Sequence, residues 1–302
     1  MAIRSIKNPN FDWYYLTDFS ETEANFLKSN FKFHPLDLKD CAGEVQRSKI
    51  DHYKNYFFLV IQFPELSGRK VAINQVYFFV GKNFIITIAK GKLKVLNNLF
   101  YKILHNQKIK DDFFSEGPGY LLYKVLDILL RSFWSIHAKL DAEIKSIEGE
   151  IYDGRGKKAV FDVADLRRVV LQLKAIIDPQ KIVTNTLSRL DTAFLSKDMT
   201  VYFDDLDDFV EKNWFILEGH KERISNLQEV NESLISYRTN QIMKVLTIFS
   251  VALLPLTLLS GIYGMNVELP LSDHSGFVWM LFVVLAMVIF GILFYFKKKD
   301  LI

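Results

Sequence analysis

The sequence predicts an α+β membrane protein: an N-terminal α/β domain, a long helical stalk and a C-terminal hairpin of two transmembrane helices. Three observations predict it. Residues 245–262 and 276–296 are apolar spans without a charged side chain, each close to the ~20 residues that cross a ~30 Å hydrocarbon core as helix. Residues 56–63, 75–80 and 84–88 are dense in β-branched and aromatic side chains, which is strand composition. From residue 202 to residue 254 only Gly219 interrupts a stretch free of Pro and Gly.

The first division, 1–118, reads as the α/β domain. The turn Gly81-Lys82-Asn83 joins the second and third apolar runs into a hairpin, and helices are expected at 21–31 and 92–105. Cys41 is the single cysteine of the 302 residues. It excludes an intrachain disulfide and suits a reducing compartment. Residues 1–15 hold no apolar signal-peptide core, so this domain is expected to stay on the side where it is made.

The second division, 119–240, is helical. From Tyr120 the apolar positions Leu121, Leu122, Val125, Leu126, Ile128 and Leu129 recur at helical spacing, predicting one helix to about residue 151. Gly154-Arg155-Gly156 breaks it. A further helix over 163–177 is expected to end at Asp178-Pro179, where the proline, which removes a backbone donor, halts or kinks it. Residues 204–262 then read as one helix running into the membrane, about 90 Å long at 1.5 Å per residue. A helix of that length needs lateral partners, from the same chain or from other copies.

The third division, 241–302, is the membrane hairpin, with helices at about 243–262 and 276–296. The loop between them, 264–275, is too short to form a domain and holds no Lys or Arg. Arg238 and Lys244 precede the first span, and Lys297-Lys298-Lys299 follows the second. The positive-inside rule therefore puts both termini in the cytoplasm, in a cytoplasmic membrane. The lysine cluster also suits contact with lipid headgroups.

The first span is two-faced. Asn240, Met243, Thr247, Ser250, Leu254, Thr257 and Gly261 follow at steps of three and four, on one helix face. Two readings stay open. Small and hydroxyl residues let membrane helices approach closely. Alternatively, several copies around an axis would line a pore with these oxygens, Met243 and Leu254 forming apolar constrictions that gate by dewetting. Neither span carries an ionisable residue. Passive cation flow fits that better than a proton-coupled cycle.

Gly264-Met265-Asn266, directly after the first span, resembles the signature of the CorA family of magnesium channels. The likeness extends upstream through Thr239-Asn240-Gln241-Ile242-Met243-Lys244-Val245, Leu254-Pro255-Leu256-Thr257 and Ser260-Gly261-Ile262-Tyr263. In the first domain it includes Phe33-His34-Pro35-Leu36, Gln46-Arg47-Ser48-Lys49-Ile50 and Gly81-Lys82-Asn83-Phe84. Pro118-Gly119-Tyr120-Leu121-Leu122-Tyr123 resembles the start of the family's helical region.

The resemblance implies a funnel-shaped homopentamer whose stalk helix lines the pore. It implies Gly264, Met265 and Asn266 as the selectivity filter for hydrated Mg²⁺, which gives up water reluctantly and prefers oxygen ligands. It implies Asn240, Met243, Thr247, Leu254, Thr257 and Gly261 as pore-facing. It also implies regulatory Mg²⁺ bound between subunits at Asp205, with Asp204 and Asp208 beside it, so that cytoplasmic Mg²⁺ holds the closed state. Leu254 departs from the methionine common at its position. The loop near Leu269-Pro270 is one residue short, leaving Glu268 and Asp273 to attract cations at the outer mouth.

Other classes find less support. A net charge of +3 with mean hydropathy +0.10 gives no basic footprint for nucleic acid. Neutral oxygens do not separate Mg²⁺ from Co²⁺, so both remain candidate cargoes. A Zn²⁺ or Ni²⁺ transporter would favour His or Cys ligands, and His274 is the sole histidine near the membrane. A membrane-anchored sensor would leave the polar stripe unused. No phosphate-cradling glycine loop or Cys/His cluster supports an enzyme. The remaining histidines, His137 and His220 among them, read as surface or satisfied core.

Overall fold

Continuous apolar runs form strands when both sheet faces are covered, and the centre of the first domain follows that rule. The computed structural model describes residues 3–90, 93–154, 156–192, 194–195, 198–266 and 275–298. Six strands form one sheet: β1 (Ile3–Ile6), β2 (Asp12–Leu16), β3 (Lys49–His52), β4 (Tyr56–Ser67), β5 (Lys70–Gly81) and β6 (Phe84–Lys90), in the order β1-β2-β6-β5-β4-β3. Only β2 and β6 pair in parallel. The β5–β6 hairpin turns at Lys82-Asn83 with Gly81 opposite Phe84, as expected.

Strands β4 and β5 run beyond the sequence-predicted limits. Their register continues from Tyr56↔Gly81 to Ser67↔Lys70, closed by a turn in which Gly68 takes φ 57°, a left-handed conformation that favours glycine. Pro64 reads as a strand stop, yet β4 passes through it. Strand β3 pairs only with residues 57–60 of β4. Beyond them that side of β4 is an edge, where a missing N–H is tolerated.

One sheet face packs Tyr56, Phe58, Val60, Tyr77, Phe79, Ile86 and Ile88 against Leu27 of α1 (Glu21–Asn30) and Leu38 and Cys41 of α2 (Pro35–Ala42). The other face meets α5 (Pro118–Leu130) and α7 (Gly156–Ser188). There Phe100 of α3 (Lys94–His105) packs edge-on against Trp13 and at a tilt against Tyr15. The short α4 (Gln107–Phe113) leads into α5. Strands β1, β2 and β3 and helices α2 and α4 were not legible in the sequence, being short and dependent on partners.

Two helix limits need correction. The helix expected over 120–151 is broken into α5 and α6 (Phe133–Tyr152). At the break Ser132 Oγ donates to the Leu129 carbonyl at 2.6 Å, a local side-chain bond that competes with the helix ladder. Conversely, α7 does not stop at Pro179. Ile176 and Ile177 before it, and Gln180, Val183, Thr184 and Leu187 after it, are all buried. Burial on both sides carries the helix across a residue that costs about 3 kcal/mol in isolation.

Helix α8 spans Met199–Tyr263, 65 residues, beginning ahead of the predicted residue 204. Gly219 sits on its exposed face, and a Cβ there would meet nothing within 4 Å. Gly219→Ala is therefore expected to stabilise the protein by about 1 kcal/mol. Thermal melting of the full-length protein in detergent would show it, and a lowered midpoint would contradict it.

The chain divides into two units, Met1–Gln228 and Glu229–Ile302. In the second, the apolar part of α8 is followed by α9 (Ser275–Lys298). Both are long and apolar enough to cross a membrane, and neither apolar window is covered by the rest of the chain.

Candidate functional site

The membrane end of α8 sorts its residues by face. Ile248, Ala252, Pro255, Leu256 and Leu259 are half-buried. Thr247, Ile248, Val251, Ala252 and Pro255 line a groove of about 420 Å³ against Leu285, Val288, Ile289, Ile292 and Leu293 of α9. The polar stripe looks elsewhere. Asn240, Met243, Thr247, Ser250, Leu254, Thr257 and Gly261 are all exposed. At 100° per residue their mean direction lies roughly 155° from that of the half-buried set. Thr247 alone touches both regions, at the groove rim.

The hydroxyls of this stripe are oriented. Thr247 Oγ1 donates to the Met243 carbonyl at 2.8 Å, Ser250 Oγ to Leu246 at 2.9 Å and Thr257 Oγ1 to Leu253 at 2.9 Å. With each proton committed to the helix, the outward lone pairs act as acceptors. The exposed face thus offers oxygen acceptors between two apolar side chains, Met243 and Leu254.

Helix α8 ends at Tyr263. Gly264 N donates to the Ser260 carbonyl at 2.9 Å and Met265 N to that of Ile262 at 3.3 Å. A Cβ on Gly264 would stand 3.0 Å from the Ser260 carbonyl oxygen, so glycine permits this tight exit. Met265 and Asn266 follow, both exposed. Glu268 and Asp273 lie outside the described residues.

The acidic run at the start of α8 divides in two. Asp207 is structural: its carboxylate accepts from Thr184 Oγ1 at 2.6 Å and Asn185 Nδ2 at 3.0 Å, tying α8 to α7. Asp204, Asp205 and Asp208 are exposed. Asp205 accepts from the Tyr123 hydroxyl at 3.2 Å. Burial first, and then Asp205 and Asp127, push that phenol up to about 12, so it remains a donor at neutral pH. Arg131, paired to Asp127 at 2.8 Å, also feels the Asp205 charge. Tyr123, Asp127 and Arg131 were not identified from sequence, because α5 meets this part of α8 only in the fold. Among the described residues, no three His, Cys, Asp or Glu side chains of one chain converge to hold a metal.

Comparison with known proteins gives a consistent result. A family model described as CorA-like Mg²⁺ transporter protein matches residues 8–298. The chain is 30% identical to YfjQ of Bacillus subtilis, over 99% of this chain and 93% of that protein. It is 28% identical to the cobalt/magnesium transport protein CorA of Thermotoga maritima, over 95% and 82% of the two chains. Its fold matches the solved CorA magnesium transporter of Methanocaldococcus jannaschii with a TM-score of 0.82, covering 96% of this chain and 92% of that one at 22% identity.

Proposed function

The chain belongs to the CorA-like Mg²⁺ transporter family, with two C-terminal transmembrane helices, and on that premise we propose that it is a homopentameric Mg²⁺ channel of the cytoplasmic membrane. Copies of α8 surround the pore, α9 lies outside them, and both termini face the cytoplasm. The potential across the membrane drives Mg²⁺ inward, at about 2.3 kcal/mol per elementary charge per 100 mV.

One observation carries this reading. Apart from Thr247 at the groove rim, the oxygen-bearing stripe of α8 faces away from α9 and leads to Asn266. A stripe meant for packing within the hairpin would face α9. A ring of Asn266 amides suits a hydrated ion, since neutral oxygens accept from its water shell without stripping it. Gly264 and Met265 complete the filter, while Asn240, Met243, Thr247, Leu254, Thr257 and Gly261 face the pore. Glu268 and Asp273 attract cations at the outer mouth.

Asp205, with Asp204 and Asp208, takes a regulatory Mg²⁺ between subunits. Among the described residues a single chain brings no three such side chains together, and a site between subunits would draw its remaining ligands from the neighbouring copy. Cobalt is a second cargo, by likeness to the cobalt/magnesium transport protein CorA of Thermotoga maritima. The test is Mg²⁺ influx into proteoliposomes of the full-length protein with an interior-negative potential. Influx that rises with the potential is expected. Its absence in wild-type protein at every internal Mg²⁺ concentration would overturn the reading.

A further inference from the structure

Two histidines far apart in sequence meet in the first unit, between α6 and α8. His137 is 3% exposed and His220 4%, and their ring centroids are 5.6 Å apart. Nδ1 of His137 and Nε2 of His220 are buried and have no hydrogen-bond partner among the described residues.

The surrounding bonds fix the proton position of His137. Asn213 Nδ2 donates to the Phe209 carbonyl at 2.6 Å, so its Oδ1 is the atom 2.8 Å from His137 Nε2. That oxygen only accepts, so His137 Nε2 carries the proton and Nδ1 holds the lone pair. His220 Nδ1 lies 3.9 Å from Asp141 Oδ1, beyond hydrogen-bond reach. Double protonation of either ring would leave a buried cation with an N–H, His137 Nδ1 or His220 Nε2, that meets no acceptor among the described residues.

We propose that His137 and His220 form a proton-sensitive latch between α6 and α8, closed while both rings are neutral and released when they are protonated. The charged groups acting on the pair are few. Asp141 on α6 favours the cation, but Arg223 on α8 already engages it at 2.8 Å. From α7, Lys174 is bound by Glu218, which also holds Lys221. Phe133 and Trp134 supply only apolar contact.

Burial, the largest influence on each, holds both histidines below the ordinary range. A group with a lowered folded-state value stabilises the contact above the unfolded value near 6.5. That stabilisation is lost as pH falls through the folded value. Since α8 is continuous from Met199 to Tyr263, the latch acts on the helix that carries the polar stripe. The latch itself does not depend on transport.

Hydrogen–deuterium exchange of the full-length protein in nanodiscs tests it, corrected for intrinsic rates, at pH 7.5 and 5.5. Backbone amides at 133–152 and 206–224 are expected to exchange at least tenfold faster at the lower pH, with β4 and β5 unchanged. A His137→Gln/His220→Gln variant should lose that pH response. Equal responses in both proteins would overturn the latch. Should the double variant fail to fold, imidazole ¹⁵N titration of the wild type decides. Two histidines titrating below 6.5 support it, and titration of both at or above 6.5 refutes it.

Discussion

Replacing Asn266 with alanine is expected to lower Mg²⁺ influx by more than about 100-fold, with protein level and oligomer size unchanged. The side chain is exposed just beyond the end of α8. Its proposed role lies entirely in accepting from the water shell of the passing ion. A hydrogen bond contributes roughly 1 kcal/mol net. Five such losses around a ring amount to about 5 kcal/mol, and each 1.4 kcal/mol is tenfold. Gly264 and Met265 supply no comparable polar side chain. Potential-driven uptake by proteoliposomes, wild type beside Asn266→Ala, measures this directly. Equal uptake by both proteins would move ion selection away from Asn266 while leaving a channel in place.

Asp205→Asn is the second large effect. Wild-type influx is expected to fall as Mg²⁺ rises inside the vesicle, and the variant should need about tenfold more internal Mg²⁺ for the same inhibition. The substitution preserves an oxygen that accepts from Tyr123 at the position now bonded at 3.2 Å. It removes the charge that would attract a divalent ion. At the proposed interface a bound cation would relieve repulsion among Asp204, Asp205 and Asp208. Asp207→Asn serves as the contrast. That carboxylate is committed to Thr184 and Asn185, so its loss should lower thermal stability and leave the inhibition curve in place. An unchanged curve for Asp205→Asn would remove this residue from regulation.

The candidate site was partly legible before any coordinates. The stripe on α8 follows from helical periodicity, because side chains three and four apart share a face in any helix. The glycine at the helix exit and the asparagine beside it were readable as a motif. What periodicity could not say was which way the stripe points. That depended on where α9 packs, and the half-buried face through Ala252 and Pro255 supplies the answer. The acidic run shows the same limit. Four aspartates in five positions look equivalent in a string, yet α7 captures Asp207 and leaves its neighbours exposed.

Sequence alone also determined the long breaker-free helix, the two apolar spans and the central strands, since each depends on local composition and repeating pattern. Only tertiary structure decided that α7 crosses Pro179, that β4 continues past Pro64 on an unpaired edge, and that His137 meets His220 in the interior. These outcomes depend on burial and pairing between segments distant in the chain. A local rule states the cost of a proline or of a buried imidazole, whereas the fold supplies the contacts that offset it.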